Sequence, residues 1–199
     1  MRLLIFSDIH GDKAALERLM QVEADYYFAA GDLVNWGRGL GDVGPIMAPR
    51  AERLYLIPGN HESAADISNF AGQFGFHDFH GQSMQLGRWT VGGLGYSNIT
   101  PFKTPGEYAE SQLQEQLEKF AGLAPPLVMV CHCPPKNSKL DRAGEGQHFG
   151  SPAVREFIER VQPAHFFCGH IHEAAGQTEQ LGRTVGMNVG KAGYLLQLD

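Results

Sequence analysis

Five short runs of mostly apolar residues have strand length: 3–6, Tyr26–Ala30, 53–57, Leu127–Cys131 and His165–Cys168. Each breaks off at a cluster of Gly, Asp, Asn or His. Between them the period changes from two to 3.6. Lys13–Gln21 places Leu16, Leu19 and Met20 on one face, 107–120 does so with Leu113, Leu117 and Phe120, and 151–161 with Val154, Phe157, Ile158 and Val161. Residues 63–70 also read as helix. Strands alternating with helices predict α/β layering. Two hairpins interrupt the alternation, 84–86 with 89–91 around Gly87-Arg88, and 176–180 with 184–187 around Leu181-Gly182-Arg183, so antiparallel pairs are expected beside parallel crossovers. Residues 134–150, with Pro134-Pro135, Gly144 and Gly146, read as a long surface loop, and a loop of that length in a compact domain is usually functional. The glycine-rich stretch 36–49 reads as a second irregular segment.

The chain has 199 residues, 43% of them hydrophobic and 19% charged, with 16 basic against 22 acidic residues for a formal charge of −6. These values describe one globular domain spanning 1–199. A broad basic face for extended nucleic acid is not expected, because phosphate neutralisation needs clustered Lys and Arg. Asp8 and His10 interrupt the first apolar run before a signal-peptide core or a membrane span is complete, which predicts a cytoplasmic protein without membrane association. Cys131, Cys133 and Cys168 form neither CxxC nor an even set, so they read as buried thiols rather than a disulfide or zinc framework. Homo-oligomerisation is left open.

Candidate chemistry gathers at the carboxyl ends of the apolar runs, where ligands collect in open α/β sheets. The groups are Asp8, His10, Asp32, Asn60, His132, His170 and His172. Asp8/His10 and His170/His172 are i, i+2 pairs, which project to one side of an extended segment. Taken singly, Asp8 reads as a helix cap, Asp32 and Asn60 as turn formers and His132 as a core histidine. Together they are seven donors mixing oxygen with imidazole nitrogen, too many for one tetrahedral ion. They suit two divalent ions about 3.5–4 Å apart sharing a carboxylate. Such a donor set permits Mn, Fe, Zn, Ni or Co.

The order of these blocks, Asp8-Ile9-His10, Gly31-Asp32, Gly59-Asn60-His61-Glu62, His132 and Gly169-His170-Ile171-His172, resembles that of the calcineurin-like metallophosphoesterases. The resemblance implies two mixed β-sheets packed as a sandwich with helices on the outer faces. It implies that Asp8, His10 and His172 hold one ion, Asn60, His132 and His170 the other, and that Asp32 bridges them. His61 matches the histidine that faces the scissile phosphate without being a ligand. The implied activity is hydrolysis of a small phosphodiester or phosphomonoester by a metal-bridging hydroxide, with the diester favoured. Where the superfamily's protein phosphatases carry an Asp-Arg pair, this chain has Asn35 and Trp36, which argues against a phosphoprotein substrate. Asn35, Trp36 and His148 are the candidate substrate-binding residues: Asn35 can also bond an imidazole, Trp36 can stack on substrate, and His148 in the long loop can reach it. Lys136, Lys139 and Arg142 read as solvated, and His77, His80 and His165 as packing or surface groups. The rivals are a nuclease of the same superfamily and a non-catalytic protein-binding scaffold. The intact ligand set with His61 speaks against the scaffold, and the missing basic tracts speak against the nuclease.

Overall fold

The computed structural model describes all 199 residues. The first half runs β1 (Arg2–Phe6), α1 (Lys13–Gln21), β2 (Tyr26–Ala30), α2 (Leu40–Met47), β3 (Leu54–Ile57), α3 (Ala64–Phe74) and β4 (His77–Asp78). The hairpin β5 (Gln82–Leu86) and β6 (Trp89–Leu94) follows, then the short pair β7 (Ser97–Asn98) and β8 (Glu107–Tyr108). After α4 (Glu110–Ala121) and β9 (Leu127–Cys131) come the small ribbon β10 (Arg142–Ala143) and β11 (Gln147–His148), then α5 (Pro152–Val161) and β12 (His165–Cys168). The chain closes with β13 (Thr178–Leu181), β14 (Thr184–Asn188) and β15 (Tyr194–Gln197).

Two large mixed sheets result. In the first, ordered β15-β1-β2-β3-β4, the four strands β1 to β4 are parallel and β15 is antiparallel to β1. In the second, ordered β13-β14-β12-β9-β6-β5, the central four strands are parallel and both edges are antiparallel.

The side-chain alternation shows why these sheets stack. On β1, Leu3 and Ile5 join the layer between the sheets, while Leu4 and Phe6 point outward onto α1, α2 and α3. Strand β9 repeats this: Val128 and Val130 face the inter-sheet core, and Leu127, Met129 and Cys131 face α4 and α5. A strand buried on both faces needs a continuous apolar run rather than alternation with polar residues. The result is a helix-sheet-sheet-helix stack.

Several boundaries differ from the sequence-based expectation. The stretch 36–49 contains α2, despite three glycines and Pro45 in or beside it, because Val43 and Met47 bury against α1 and α3. Helix α4 begins at Glu110 rather than 107, and Glu107 lies in β8. Asp12, not Asp8, caps α1 by accepting the N–H of Ala15. Strand β15, not expected from the sequence, covers the outer edge of β1. The three cysteines are free and buried, and burial pushes the Cys131 thiol up to about 12. No helix is long and apolar enough to cross a membrane.

Candidate metal centre

The loops after β1, β2, β3, β9 and β12 converge at one end of the sandwich. They bring the carboxylate of Asp8 together with His10 and His172, and that of Asp32 together with His132 and His170, with the donor atoms of each trio within 4.8 Å of one another. His10 Nε2 lies 3.0 Å from His172 Nε2, and Asp8 Oδ1 lies 3.7 Å from His172 Nε2. Asp32 Oδ2 stands between the trios, 3.6 Å from His10 Nε2 and 3.5 Å from His132 Nε2. Asn60 Oδ1 lies 2.8 Å from His170 Nδ1 and 3.2 Å from His132 Nε2.

These spacings fit cations. Donors bound at ~2.0–2.1 Å around a tetrahedral or octahedral ion sit roughly 3.0–3.4 Å from each other. Imidazole nitrogens pointing their lone pairs at one another repel unless something electropositive lies between them. The surrounding bonds also leave the lone pairs pointing inward. His10 Nδ1 donates to Asn35 Oδ1 (2.8 Å) and His132 Nδ1 to the Ala30 carbonyl (2.8 Å), so that in the neutral form of each ring, the form that binds a cation, Nε2 is the acceptor facing the cluster. The amide nitrogen of Asn60 donates to Thr104 Oγ1, leaving its oxygen turned toward the two imidazoles.

The backbone is bent to achieve this. Asp8, His10, Asp32 and His170 all adopt positive φ, between 47° and 69°. That is four of the nine non-glycine residues in this conformation, so the strain is concentrated where the donors are. Glycines allow the loops to touch. A Cβ on Gly59 would fall 2.0 Å from Asp32 Oδ1, and one on Gly169 would fall 2.1 Å from Ser7 Oγ and 2.4 Å from Asp8 Oδ2.

Beneath the cluster, fully buried Glu62 accepts N–H bonds from Asp32 and Gly59 through Oε2 and from Val34 through Oε1. It ties the β2 loop to the β3 loop, while the capping of α3 falls to Ser63 and Asp66. Burial, reinforced by the Asp32 carboxylate, pushes Glu62 up to about 8. Burial also opposes charge on Asp32, yet His132 and the N–H of His61 hold that carboxyl well below the usual range. His132 is pushed up to about 9, the carboxylates of Asp32 and Asp8 overcoming burial. Burial, with His132 nearby, lowers His170 to about 3.

The remaining sequence-derived candidates fall around this cluster. His61 has a ring nitrogen within 4.8 Å of donors on His10 and Asp32, and its Nδ1 accepts the Trp36 N–H at 3.3 Å. Burial lowers its pKa. Asn35 bonds His10 rather than His61, although its loop follows β2, which has β1 on one side and β3 on the other. Trp36 is 47% exposed and meets His61 edge to face. His148 Nδ1 is held by buried Asp141 at 2.7 Å. Of the loop cations, Lys136 opens onto the cavity above the cluster, whereas Lys139 and Arg142 line a separate depression.

Sequence reasoning did not reach Asp141, Thr104, Glu107 or Asn188. Asn188 Nδ2 contacts the carbonyls of Leu140, Gly169 and Ile171 and so anchors the loop that carries His170 and His172. Its signal was present, since it is one more polar residue at the end of a strand. Two cavities meet at the cluster, of about 470 Å³ and 570 Å³, and both are lined by His10, His61 and His172.

The chain is 27% identical over 202 residues to the uncharacterized protein MJ1162 of Methanocaldococcus jannaschii, covering 98% of this chain and 91% of the relative. In three dimensions it is similar to TT1561 of Thermus thermophilus, with TM-score 0.70, 17% identity, and coverage of 96% of this chain and 90% of that one. It is also similar to the phosphopantetheinyl hydrolase PptH of Mycobacterium tuberculosis, with TM-score 0.69, 16% identity, and coverage of 94% and 88%. The sequence profile of the calcineurin-like phosphoesterases matches residues 1–174, which run from β1 past the His170/His172 loop. By that match, the chain belongs to the calcineurin-like phosphoesterase family.

Proposed function

We propose that the chain is a metal-dependent hydrolase of small phosphoesters, with a diester as its preferred substrate. Asp8, His10 and His172 would hold one divalent ion, Asn60, His132 and His170 a second, and Asp32 would touch both. The ions, when bound, supply a water acidified to a pKa of about 7 and neutralise charge on the phosphoryl oxygens. The chain's own contribution is orientation. Asn35 and the Ala30 carbonyl fix the tautomers of His10 and His132. Glu62 keeps the Asp32 and Asn60 loops in register. His61 accepts at Nδ1 from Trp36, so its neutral ring carries a proton at Nε2 that can hydrogen-bond the phosphoryl or departing oxygen and stabilise its developing charge.

The observation that carries the diester reading is the pair of cavities sharing His10, His61 and His172. A phosphorus centred there has room for an organic group on either side, which a monoester does not need. Trp36 beside His61, and Lys136 and His148 in the larger cavity, are the proposed substrate contacts. Three buried free thiols suit the proposed cytoplasmic location. The test is turnover of bis-p-nitrophenyl phosphate and p-nitrophenyl phosphate by metal-stripped protein with and without Mn²⁺. The expected result is Mn²⁺-dependent hydrolysis, a larger kcat/KM for the diester, and a loss of about 100-fold or more in kcat for His61→Ala. Turnover of neither ester would favour the scaffold, and comparable cleavage of single-stranded DNA would favour the nuclease.

A further inference from the structure

Seven large hydrophobic side chains are conspicuously exposed in this protein: Trp36, Ile99, Phe102, Phe149, Val185, Tyr194 and Leu195. Three of them, Ile99 (68%), Phe102 (72%) and Phe149 (50%), line the same cavity as His10, Asp32, Asn60 and His61. Scattered exposed apolar residues are ordinary, but several on one wall of a concave site are a recognition surface.

The wall is built rather than loose. Glu107 Oε1 accepts from Thr100 Oγ1 (2.6 Å), from Thr104 Oγ1 (2.6 Å) and from the Thr104 N–H (2.8 Å), while the Phe102 N–H bonds Thr100 Oγ1. These bonds turn the hydroxyls of Thr100 and Thr104 inward, while Ile99 and Phe102 are left outward. Asn98 ties this segment to the opposite loop by donating to the Phe149 carbonyl at 3.2 Å, and its oxygen receives the Cys133 thiol. Thr104 also holds the Asn60 amide, so the apolar wall and the donor cluster are fixed to each other through one side chain.

We propose that this wall is a subsite for an aromatic or branched apolar group on one organic arm of the phosphoester, seated between Phe149 and the Ile99/Phe102 loop while the phosphoryl group lies at the donor cluster. This rests on the reading of the cluster as a phosphoester site. A purely polar substrate would leave three hydrophobic side chains of this cavity facing water, whereas an apolar arm covers them. Lys136 lines the same cavity and forms no ion pair, so a negative charge between the arm and the cluster is accommodated.

The test compares phenylphosphonate with methylphosphonate, which share a headgroup and differ in the arm. Their Kd values for the Mn²⁺-loaded protein are measured by calorimetry, for the wild type and for Ile99→Ser/Phe102→Ser. Both positions are solvent-facing, so the variant retains its fold, checked by circular dichroism. The wild type is expected to bind phenylphosphonate about tenfold more tightly, the factor that follows from removing roughly 60 Å² of apolar surface from water. In the variant that ratio should fall to about one or two while methylphosphonate affinity is unchanged. Equal binding of the two by the wild type, or a ratio untouched by the substitutions, overturns the subsite and leaves the phosphoester reading standing. Binding of neither overturns both. Sedimentation of the wild type, but not the variant, with phosphatidylcholine/phosphatidylglycerol vesicles, together with no phosphonate preference, would reassign the wall to a membrane surface.

Discussion

Asn35 never reaches the cluster itself, yet by accepting the Nδ1 proton of His10 it decides which nitrogen of that ring faces inward. Replacing it with leucine frees the ring to choose the other tautomer. Asn35→Leu is therefore expected to weaken Mn²⁺ binding by about 10–100-fold, read by calorimetric titration, while Asn35→Asp, which still accepts, should stay near wild type. An unchanged affinity in the leucine variant would remove Asn35 from the account. The seven proposed ligands were legible in the sequence because each is a polar residue that abruptly ends an apolar run, and five such endings in one chain are hard to reconcile with turns alone. The partners that orient them were harder to see. Nothing in the local sequence around Asn35 distinguishes a bond to His10 from one to His61, because β2 lies between β1 and β3 and only the conformation of the folded loops makes the choice. Asp141 offered no signal at all, since an acidic residue in a loop is usually solvated, and only the folded loop buries it under His148 and the N–H groups of Ser138 and Gly150.

Among the elements, the strands with continuous apolar runs could be placed to within a residue, because burial on two faces leaves no polar position to blur the boundary. Helices α1 and α5 announced themselves by a single apolar stripe, whereas their caps, Asp12 and Ser151, emerged only in the folded chain. Helix α2 did not, since its glycines and Pro45 disfavour helix locally and only packing of Val43 and Met47 overrides them. Strand β15 is four residues long with Leu196 as its one buried side chain, too short for a period to emerge. Strand β14 has a consequence for the site through its last residue. Asn188→Ala would leave the carbonyls of Leu140, Gly169 and Ile171 without their shared donor. The expected cost is about 1–3 kcal/mol in urea denaturation, with weakened Mn²⁺ affinity because the loop of His170 and His172 loses its anchor. Full stability in the variant would show that those carbonyls find other partners.

For the molecule as a whole, the donors come from both sheets: Asp8, His10, Asp32 and Asn60 follow strands of the first, and His132, His170 and His172 follow strands of the second. Ions bound only by the folded form stabilise it by mass action. Mn²⁺ at about one hundred times its Kd should contribute about 2.7 kcal/mol, raising Tm by roughly 5–10 °C for a chain of this length. Thermal scans with Mn²⁺ and then with excess chelator check this, and a Tm indifferent to both would mean that the cluster holds no cation in solution. The arrangement has a mechanical side as well. Neither leaf of the sandwich owns a full set of the proposed donors, so a cation held between Asp32 and His132 would act as a rivet driven through both. With the rivet in place the leaves could not slip past one another at that end, so the ions proposed for the chemistry would also lend the site its rigidity.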